Sequence, residues 1–378
     1  MKTQVDRKTL STDVLIAGGG VGGLTAAISI KEIAPELDVL IVEKQTCGYG
    51  GKANKGGGVL QYFDLTKMDP WDFVKYHANV IGGFLGDQEL LAKYVSMNNH
   101  MLDKLTEWGA KVPKNPDGTY NVMPTGPATA IIGVDLDITL KMRRTAEKLG
   151  VKIIDKVAIT DLLKKDGKIA GATGFSLLDG TFYEITAKAV IMATGSQNYR
   201  IGSMWGSGRG DGIAAVYRAG AELRNVEFGN FAQLVRVRSH NEVVYGENFM
   251  YNAKGEHITK NFLKEREPDI SSKAIREWYW AMTNGTGPVH LRFDSPQSEG
   301  GAPLSRLWDR PYGQEFWRLN HERAAAVDTD TEVCPLLIGE QSPIKVGHDM
   351  QTTIPGLYAI GDASYCGSAA PGAVPAPP

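Results

Sequence analysis

Three glycines and one carboxylate carry the first chemical signal in the chain. Gly18, Gly20 and Gly23 form a G-x-G-x-x-G run, and Glu43 follows the last of them by twenty residues. In such a run the first glycine permits a tight turn, and the second lets bare backbone approach a diphosphate. The third lets a helix pack closely on a strand, so that the helix N-terminus faces the phosphates. An acid at this distance accepts hydrogen bonds from ribose hydroxyls. Together these residues predict a dinucleotide site.

Other reactive side chains are less ordered along the chain. Arg200, Arg209, Arg236, Arg238 and Arg292 are candidates for an anionic substrate, because a guanidinium grips a carboxylate or phosphate through two parallel hydrogen bonds. A surface or structural arginine is the plainer alternative for each. His240, His290 and His321 are candidate acids or bases, with a solvated or core histidine as the plainer alternative. Trp205 suits stacking on a ligand or simple core packing. Cys47 follows the ribose acid, but no second cysteine lies near it, which excludes dithiol chemistry. The histidines are scattered and no Cys-x-x-Cys occurs, so metal binding has no support. Gly206–Gly212 is glycine-dense, yet no buried strand precedes it, so a second dinucleotide site is not expected.

The elements that must position the glycine turn are legible around it. Asp13–Ala17 is an apolar run suited to a buried parallel strand, Leu24–Ile33 reads as a helix, and Val39–Val42 as a second strand. This is a βαβ unit. Trp71–Trp108 has helical spacing interrupted at Gly82, Gly83 and Gly86, and Leu136–Leu149 predicts a helix stopped by Gly150. Val151–Ile154, Ala158–Leu163, Ile169–Ser176 and Phe182–Ala187 read as strands. The turn signals Asp166-Gly167 and Asp179-Gly180 make the last three a small antiparallel meander. Ala189–Ala193 returns to the buried-strand pattern before Thr194-Gly195. Gly210–Ala219 predicts a helix stopped by Gly220, and Ile354–Ile360 a last buried strand before Gly361-Asp362. Between about 231 and 331 charged and aromatic residues mix without buried-strand runs, as in an inserted second domain.

At 378 residues the chain is long enough for two structural units. Its 41 Lys and Arg against 43 Asp and Glu give a net charge of −2, with no basic stripe, which argues against a nucleic-acid partner. No apolar run approaches the roughly 20 residues that span a bilayer, and Met1–Thr12 lacks the apolar core of a signal peptide. Cys47, Cys334 and Cys366 are too far apart in sequence for a disulfide framework. A soluble protein of a reducing cytoplasm is the expectation.

Further segments distinguish between dinucleotides. The meander followed by Val190-Ile-Met-Ala-Thr-Gly195 resembles the strand that closes the FAD domain of many flavoproteins. Gly356-Leu-Tyr-Ala-Ile-Gly-Asp362 resembles their other signature, whose aspartate holds a ribityl hydroxyl. Lys55-Gly-Gly-Gly58 would let backbone approach the isoalloxazine edge. Gly210-Asp-Gly212 with Tyr217–Phe228, and Phe249–His257, extend the likeness from Val14 to Asp362. Over that span the chain resembles the flavoprotein subunits of the fumarate reductase, succinate dehydrogenase, aspartate oxidase and adenylylsulfate reductase superfamily.

The resemblance implies an α/β fold: an FAD-binding Rossmann-like parallel sheet of the glutathione-reductase type with a β-meander, plus an inserted α+β capping domain. Residues 1–230 and 332–378 would form the split FAD domain, and 231–331 the cap over the substrate. It implies cofactor contacts from Gly18, Gly20, Gly23, Glu43, Lys44, Gly51, Gly57 and Gly58, and from Ala158, Ala193, Thr194, Gly195, Asp211, Gly361 and Asp362.

Departures from the family pattern bear on the substrate. Ala232-Gln233-Leu234 stands where fumarate reductases and succinate dehydrogenases carry His-Pro-Thr. Val244–Asn248 replaces their Arg-Gly-Glu-Gly-Gly, and Ile338 their second substrate histidine. With three dicarboxylate-handling groups missing, fumarate and succinate are not the expected substrates. The histidine that tethers FAD covalently in several members falls at about Gly51, so a non-covalent flavin is expected. Arg209, Arg236 and Glu340 remain as catalytic candidates, Glu340 because it stands where relatives present groups to the flavin. Relatives commonly pass electrons to an iron–sulfur subunit, and this chain carries no cluster ligands of its own. In the family the Gly-Asp turn leads into a long helix whose N-terminus faces the flavin pyrimidine; here Pro378 comes first, so either this is a portion of a longer protein, the favoured expectation, or another chain supplies that wall. Two readings stay open. One is an oxidoreductase passing electrons between a small polar or anionic substrate and a redox partner, an adenylylsulfate-reductase-like role being one version. The other is an electron-transfer subunit whose flavin serves protein partners alone.

Overall fold

The computed structural model describes residues 5–53, 59–80, 82–126, 129–135, 137–197, 209–226, 232–238, 249–260, 270–292, 330–337 and 343–365. Its largest sheet has seven strands and grows from β1 (Arg7–Ala17). Leu15, Ile16 and Ala17 at the end of β1 are buried, as a strand covered on both faces requires. β1 pairs in parallel with β2 (Val39–Glu43) on one side and with β9 (Phe182–Met192) on the other. β6 (Lys152–Asp155) continues the sheet beyond β2, and β14 (Leu357–Ala359) pairs parallel with β9.

Helices cover both faces. α1 (Val21–Ile33) crosses from β1 to β2 and packs on α4 (Ile138–Lys148), so that Leu24, Ala27, Ile28, Met142 and Ala146 share one core with Ile16 and Ile41. On the opposite face α5 (Asp211–Ala219) brings Ile213, Val216 and Ala219 against Leu15, Val190 and Met192. Gly210 and Gly220, both left-handed, bracket α5 as its sequence suggests.

The meander is present but does not stand apart. β7 (Val157–Lys165) and β8 (Lys168–Ser176) pair antiparallel, and so do β8 and β9. Asp166 and Gly167 both take positive φ, which matches the twist of a tight hairpin. Phe182–Ala187 and Ala189–Ala193, which read as two strands, are one continuous β9, paired with β1 from Arg7 to Ala17. The first half of β1 is polar and largely exposed, so its pairing through backbone leaves no apolar pattern. Val151–Ile154 belongs to the parallel part as β6, and Ile354–Ile360 shortens to β14 because Gly356 turns at φ +80°.

Two smaller sheets were not legible in the sequence. β3 (Val59–Tyr62), β4 (Val122–Gly126) and β5 (Thr129–Gly133) pair in the order β3-β5-β4. They accompany α2 (Pro70–Val80) and α3 (Gln88–Glu107), the latter capped by Asp87, whose carboxylate accepts from the Leu90 amide. β10 (Ala232–Arg236), β11 (Met250–Tyr251), β12 (His290–Arg292) and β13 (Asp330–Leu337) form an antiparallel sheet in the order β10-β13-β12-β11. α6 (Ile270–Thr283) packs on it through Ala274, Trp278 and Ala281. β13 runs through position 331, the expected return point to the first domain.

Gly171 in β8 pairs with Thr186 at φ +142°, and a Cβ there would lie 2.0 Å from the Ile185 carbonyl oxygen. Gly171→Ala is therefore expected to cost about 2 kcal/mol or more of stability. The check is the urea midpoint; an unchanged midpoint contradicts this close pairing of β8 on β9.

Candidate functional site

The chain leaves β1 at Ala17 and turns into α1 through three glycines with different duties. A Cβ on Gly18, where φ is +109°, would lie 2.2 Å from the Ala193 carbonyl oxygen. One on Gly23 would lie 2.0 Å from the carbonyl of Gly18 itself. These two permit backbone packing. Gly20 differs: its Cβ position has no atom within 4 Å, and the residue lines a cleft. Gly20 also caps α1, with no side chain bonded to the cap and no acid in the first turn. The first amides and the positive end of the helix are thus left to an anionic ligand.

Glu43 ends β2 and is 8% exposed. Its Oε2 accepts from the Gly19 amide at 2.6 Å and its Oε1 from the Gln45 amide at 2.7 Å. The expected ribose acceptor therefore also ties the glycine turn to the second strand. Its two oxygens retain further lone pairs for hydroxyl donors. Cys47 packs under the same turn: a Cβ on Gly19 would meet its Sγ at 2.6 Å. Burial pushes the Cys47 thiol up to about 12, so it is a neutral packing group.

Gly18, Gly20, Glu43, Lys44, Gly51, Ala158, Ala193, Thr194, Gly195, Asp211, Gly361 and Asp362 all line this one cleft. Gly23 lies behind it as a packing residue, and Gly57 and Gly58 lie outside the described residues. The elements converge because parallel strands β1, β2, β9 and β14 all end at the same edge. Thr194 Oγ1 is buried without a hydrogen-bond partner in the cleft wall. A buried hydroxyl in this state is open to a ligand's polar group. Cβ positions at Gly20 and Gly195 meet open space. Backbone amides, this hydroxyl, three cations (Lys44, Lys52, Arg209) and three carboxylates (Glu43, Asp211, Asp362) fit a diphosphate flanked by hydroxyl-bearing sugars.

Two ion pairs bridge separate walls of the cleft. Lys44 and Asp211, both expected cofactor contacts, pair with each other. Lys52 Nζ lies 3.5 Å from Asp362 Oδ2. Lys52 was missed by sequence reasoning; its only signal is its place beside Gly51.

Of the catalytic candidates, Arg209 and Arg236 lie among the described residues, and only Arg209 reaches the cleft. Arg236 is 4% exposed in β10 and is not part of the cleft wall. Glu340 lies outside the described residues, as do Arg200, Trp205, His240, Val244–Asn248, His321 and Ile338. His290 Nδ1 and Arg292 Nε both engage Asp330, at 2.6 and 3.0 Å, within the small antiparallel sheet. Among the described residues no cluster could hold a metal, and no helix is long and apolar enough to cross a membrane.

Fold and cleft define a dinucleotide-binding protein of the flavoprotein type. The family profile described as FAD binding domain matches residues 13–267, and the chain belongs to this family of FAD-dependent oxidoreductases. A fumarate reductase flavoprotein subunit of Serratia sp. is 30% identical over 244 residues, covering 58% of this chain and 38% of that one. The chain thus spans less than half of that relative's length. An uncharacterized FAD-dependent oxidoreductase of Methanocaldococcus jannaschii is 31% identical over 380 aligned positions, covering 94% of this chain and 67% of that protein. A solved quinol–fumarate reductase with menaquinol superposes with a TM-score of 0.78 at 21% identity, over 95% of this chain and 67% of that one, which shows a common fold.

The two kinds of glycine separate experimentally. Gly20→Val is expected to leave the thermal midpoint of the apoprotein within a few degrees of wild type while lowering FAD affinity about a hundredfold, the scale of a lost diphosphate contact. Gly23→Ala should instead lower the midpoint. Melting curves and FAD titration check both, and equal behaviour of the two variants would count against the assignment.

Proposed function

We propose that this chain is the FAD-carrying part of an oxidoreductase that passes electrons between a small polar or anionic substrate and a redox partner, and that its FAD is held non-covalently. The carrying observation is the make-up of the cleft wall. Glycine backbone, a buried hydroxyl and paired charges line it, and no histidine, cysteine or tyrosine does so among the described residues. Covalent attachment needs such a side chain; Gly51, at the family's tethering position, offers none. When bound, the flavin supplies the redox chemistry and the protein supplies orientation and electrostatics.

The roles of the chain's own groups follow from their places. The Gly18–Gly22 backbone and the N-terminus of α1 receive the diphosphate, and Glu43 accepts from the adenosine ribose. Thr194 and Asp362 take hydroxyl and polar groups further along the cleft. Arg209, in the cleft wall, is suited to draw an anionic substrate toward the cofactor. The sheet β10–β13, which runs on to Leu337, forms with α6 the core of an inserted cap that excludes water. An iron–sulfur protein suits the partner role, since no cluster ligands occur in this chain.

Purified full-length protein is expected to be yellow and to release all its flavin into the supernatant on acid precipitation; flavin in the pellet would refute non-covalent binding. The reduced protein, mixed anaerobically with a panel of polar and anionic oxidants, should reoxidise at the flavin band without any protein partner. Reoxidation only by an iron–sulfur protein would replace this reading with that of a relay subunit. Failure to take up FAD at all would remove both.

A further inference from the structure

Lys52 is a lysine in an unusual place. Its side chain is 11% exposed in the wall of the cofactor cleft, and its ammonium lies 3.5 Å from Asp362, which follows it by 310 residues. Burial lowers its pKa, and the charge and hydrogen bond of Asp362 push back up. Holding an ammonium in such a place is costly without nearby negative charge.

Three segments meet there. Gly51, at φ +85°, has its Cβ position 3.6 Å from the Cα of Gly20, the cap of α1. The Cβ position of Gly22, in the first turn of α1, is 3.6 Å from the Cα of Gly361. The Gly51-Lys52 segment and the Gly361-Asp362 turn therefore both abut the start of α1, where the glycine pattern receives a diphosphate. The other lysine of the cleft, Lys44, is paired with Asp211 on α5.

We propose that Lys52 supplies the positive charge that neutralises the cofactor's diphosphate, with Asp362 holding the ammonium in the cleft before the cofactor binds. A diphosphate brings two negative charges to a helix terminus worth about half a positive one, which leaves negative charge for a side-chain cation to offset beside the backbone amides. In this role Lys52 discriminates FAD from flavins that lack the second phosphate and the adenosine. The inference rests on the FAD reading above.

The test compares wild-type full-length protein with Lys52→Met and Lys52→Arg in titrations with FAD and with riboflavin, which lacks phosphate. Lys52→Met should weaken FAD binding about tenfold to a hundredfold, the range of one charge-assisted hydrogen bond, and leave riboflavin affinity unchanged. Lys52→Arg should restore most of the FAD affinity. Equal loss of FAD and riboflavin affinity would mean a structural role and overturn the proposal. So would FAD affinity unchanged in Lys52→Met while wild type binds FAD, and that result leaves the functional reading intact. Wild type that takes up no FAD overturns both together. If Lys52→Met does not fold, the ³¹P resonances of bound FAD decide: they should move between wild type and Lys52→Arg, and coincident resonances overturn the assignment.

Discussion

Backbone lies against backbone at the start of α1, with no room for a methyl group between them. The Gly18 carbonyl stands where a Cβ of Gly23 would be, and the Ala193 carbonyl where a Cβ of Gly18 would be. Strand β1, helix α1 and the end of β9 are therefore drawn together at one point. Hydrogen bonds complete the contact: the Gly18 amide donates to Val42, and the Ala193 amide to Ala17. Moving any one of these segments by a few tenths of an ångström moves the others. The cleft inherits its shape from that constraint, because its glycine turn, Glu43 and the Thr194-Gly195 segment are its direct neighbours.

The sheet converts this local contact into a site. Its parallel strands stop at a common edge, and each continues into a segment that lines the cleft: β1 into the glycine turn, β2 into Glu43 and Lys44, β9 into Ala193–Ser196, and β14 into Gly361-Asp362. The last of these comes from the far end of the chain. It is held in register by the Ile360 amide donating to Met192 and by the Gly22–Gly361 approach. Charges are matched across the cleft, three cations against three carboxylates. Their exposure screens the Lys44–Asp211 pair, which therefore adds little to stability.

What was legible in the sequence is what the local chain decides. Gly18, the Gly210–Gly220 brackets of α5 and Gly361 take positive φ, which few residues other than glycine adopt, so residue type alone reports them, and Glu43 is marked by its spacing from the glycine run. Long-range pairing was harder. β9 looked like two strands because its burial alternates in one half and turns mixed in the other, where its partners change. The sheet of β10–β13 escaped notice because strands such as Met250–Tyr251 and His290–Arg292 are shorter than any periodicity can show. Arg236 and Arg209 carry the same chemistry in sequence; only the fold separates a buried sheet arginine from one in the cleft.

The loop after β2 shows how a site is held by residues that never touch the ligand. Asp155, at the end of β6, accepts from the Cys47 amide, and Arg143 on α4 donates to both Asp155 and the Cys47 carbonyl. Thr139 donates to the Gly48 carbonyl, and the Gly48 amide to Gly19. The buried thiol of Cys47 fills the space beneath Gly19, where a charged thiolate would be unstable. This loop carries Lys44, Gly51 and Lys52 into the cleft, so fixing it fixes two of the three cations there. The cysteine first considered for redox chemistry thus serves the opposite purpose: it is a neutral wedge that keeps the glycine turn and the charged loop at one spacing. A cleft pre-arranged in this way does not have to order its charges when a diphosphate enters, and binding loses less to conformational entropy.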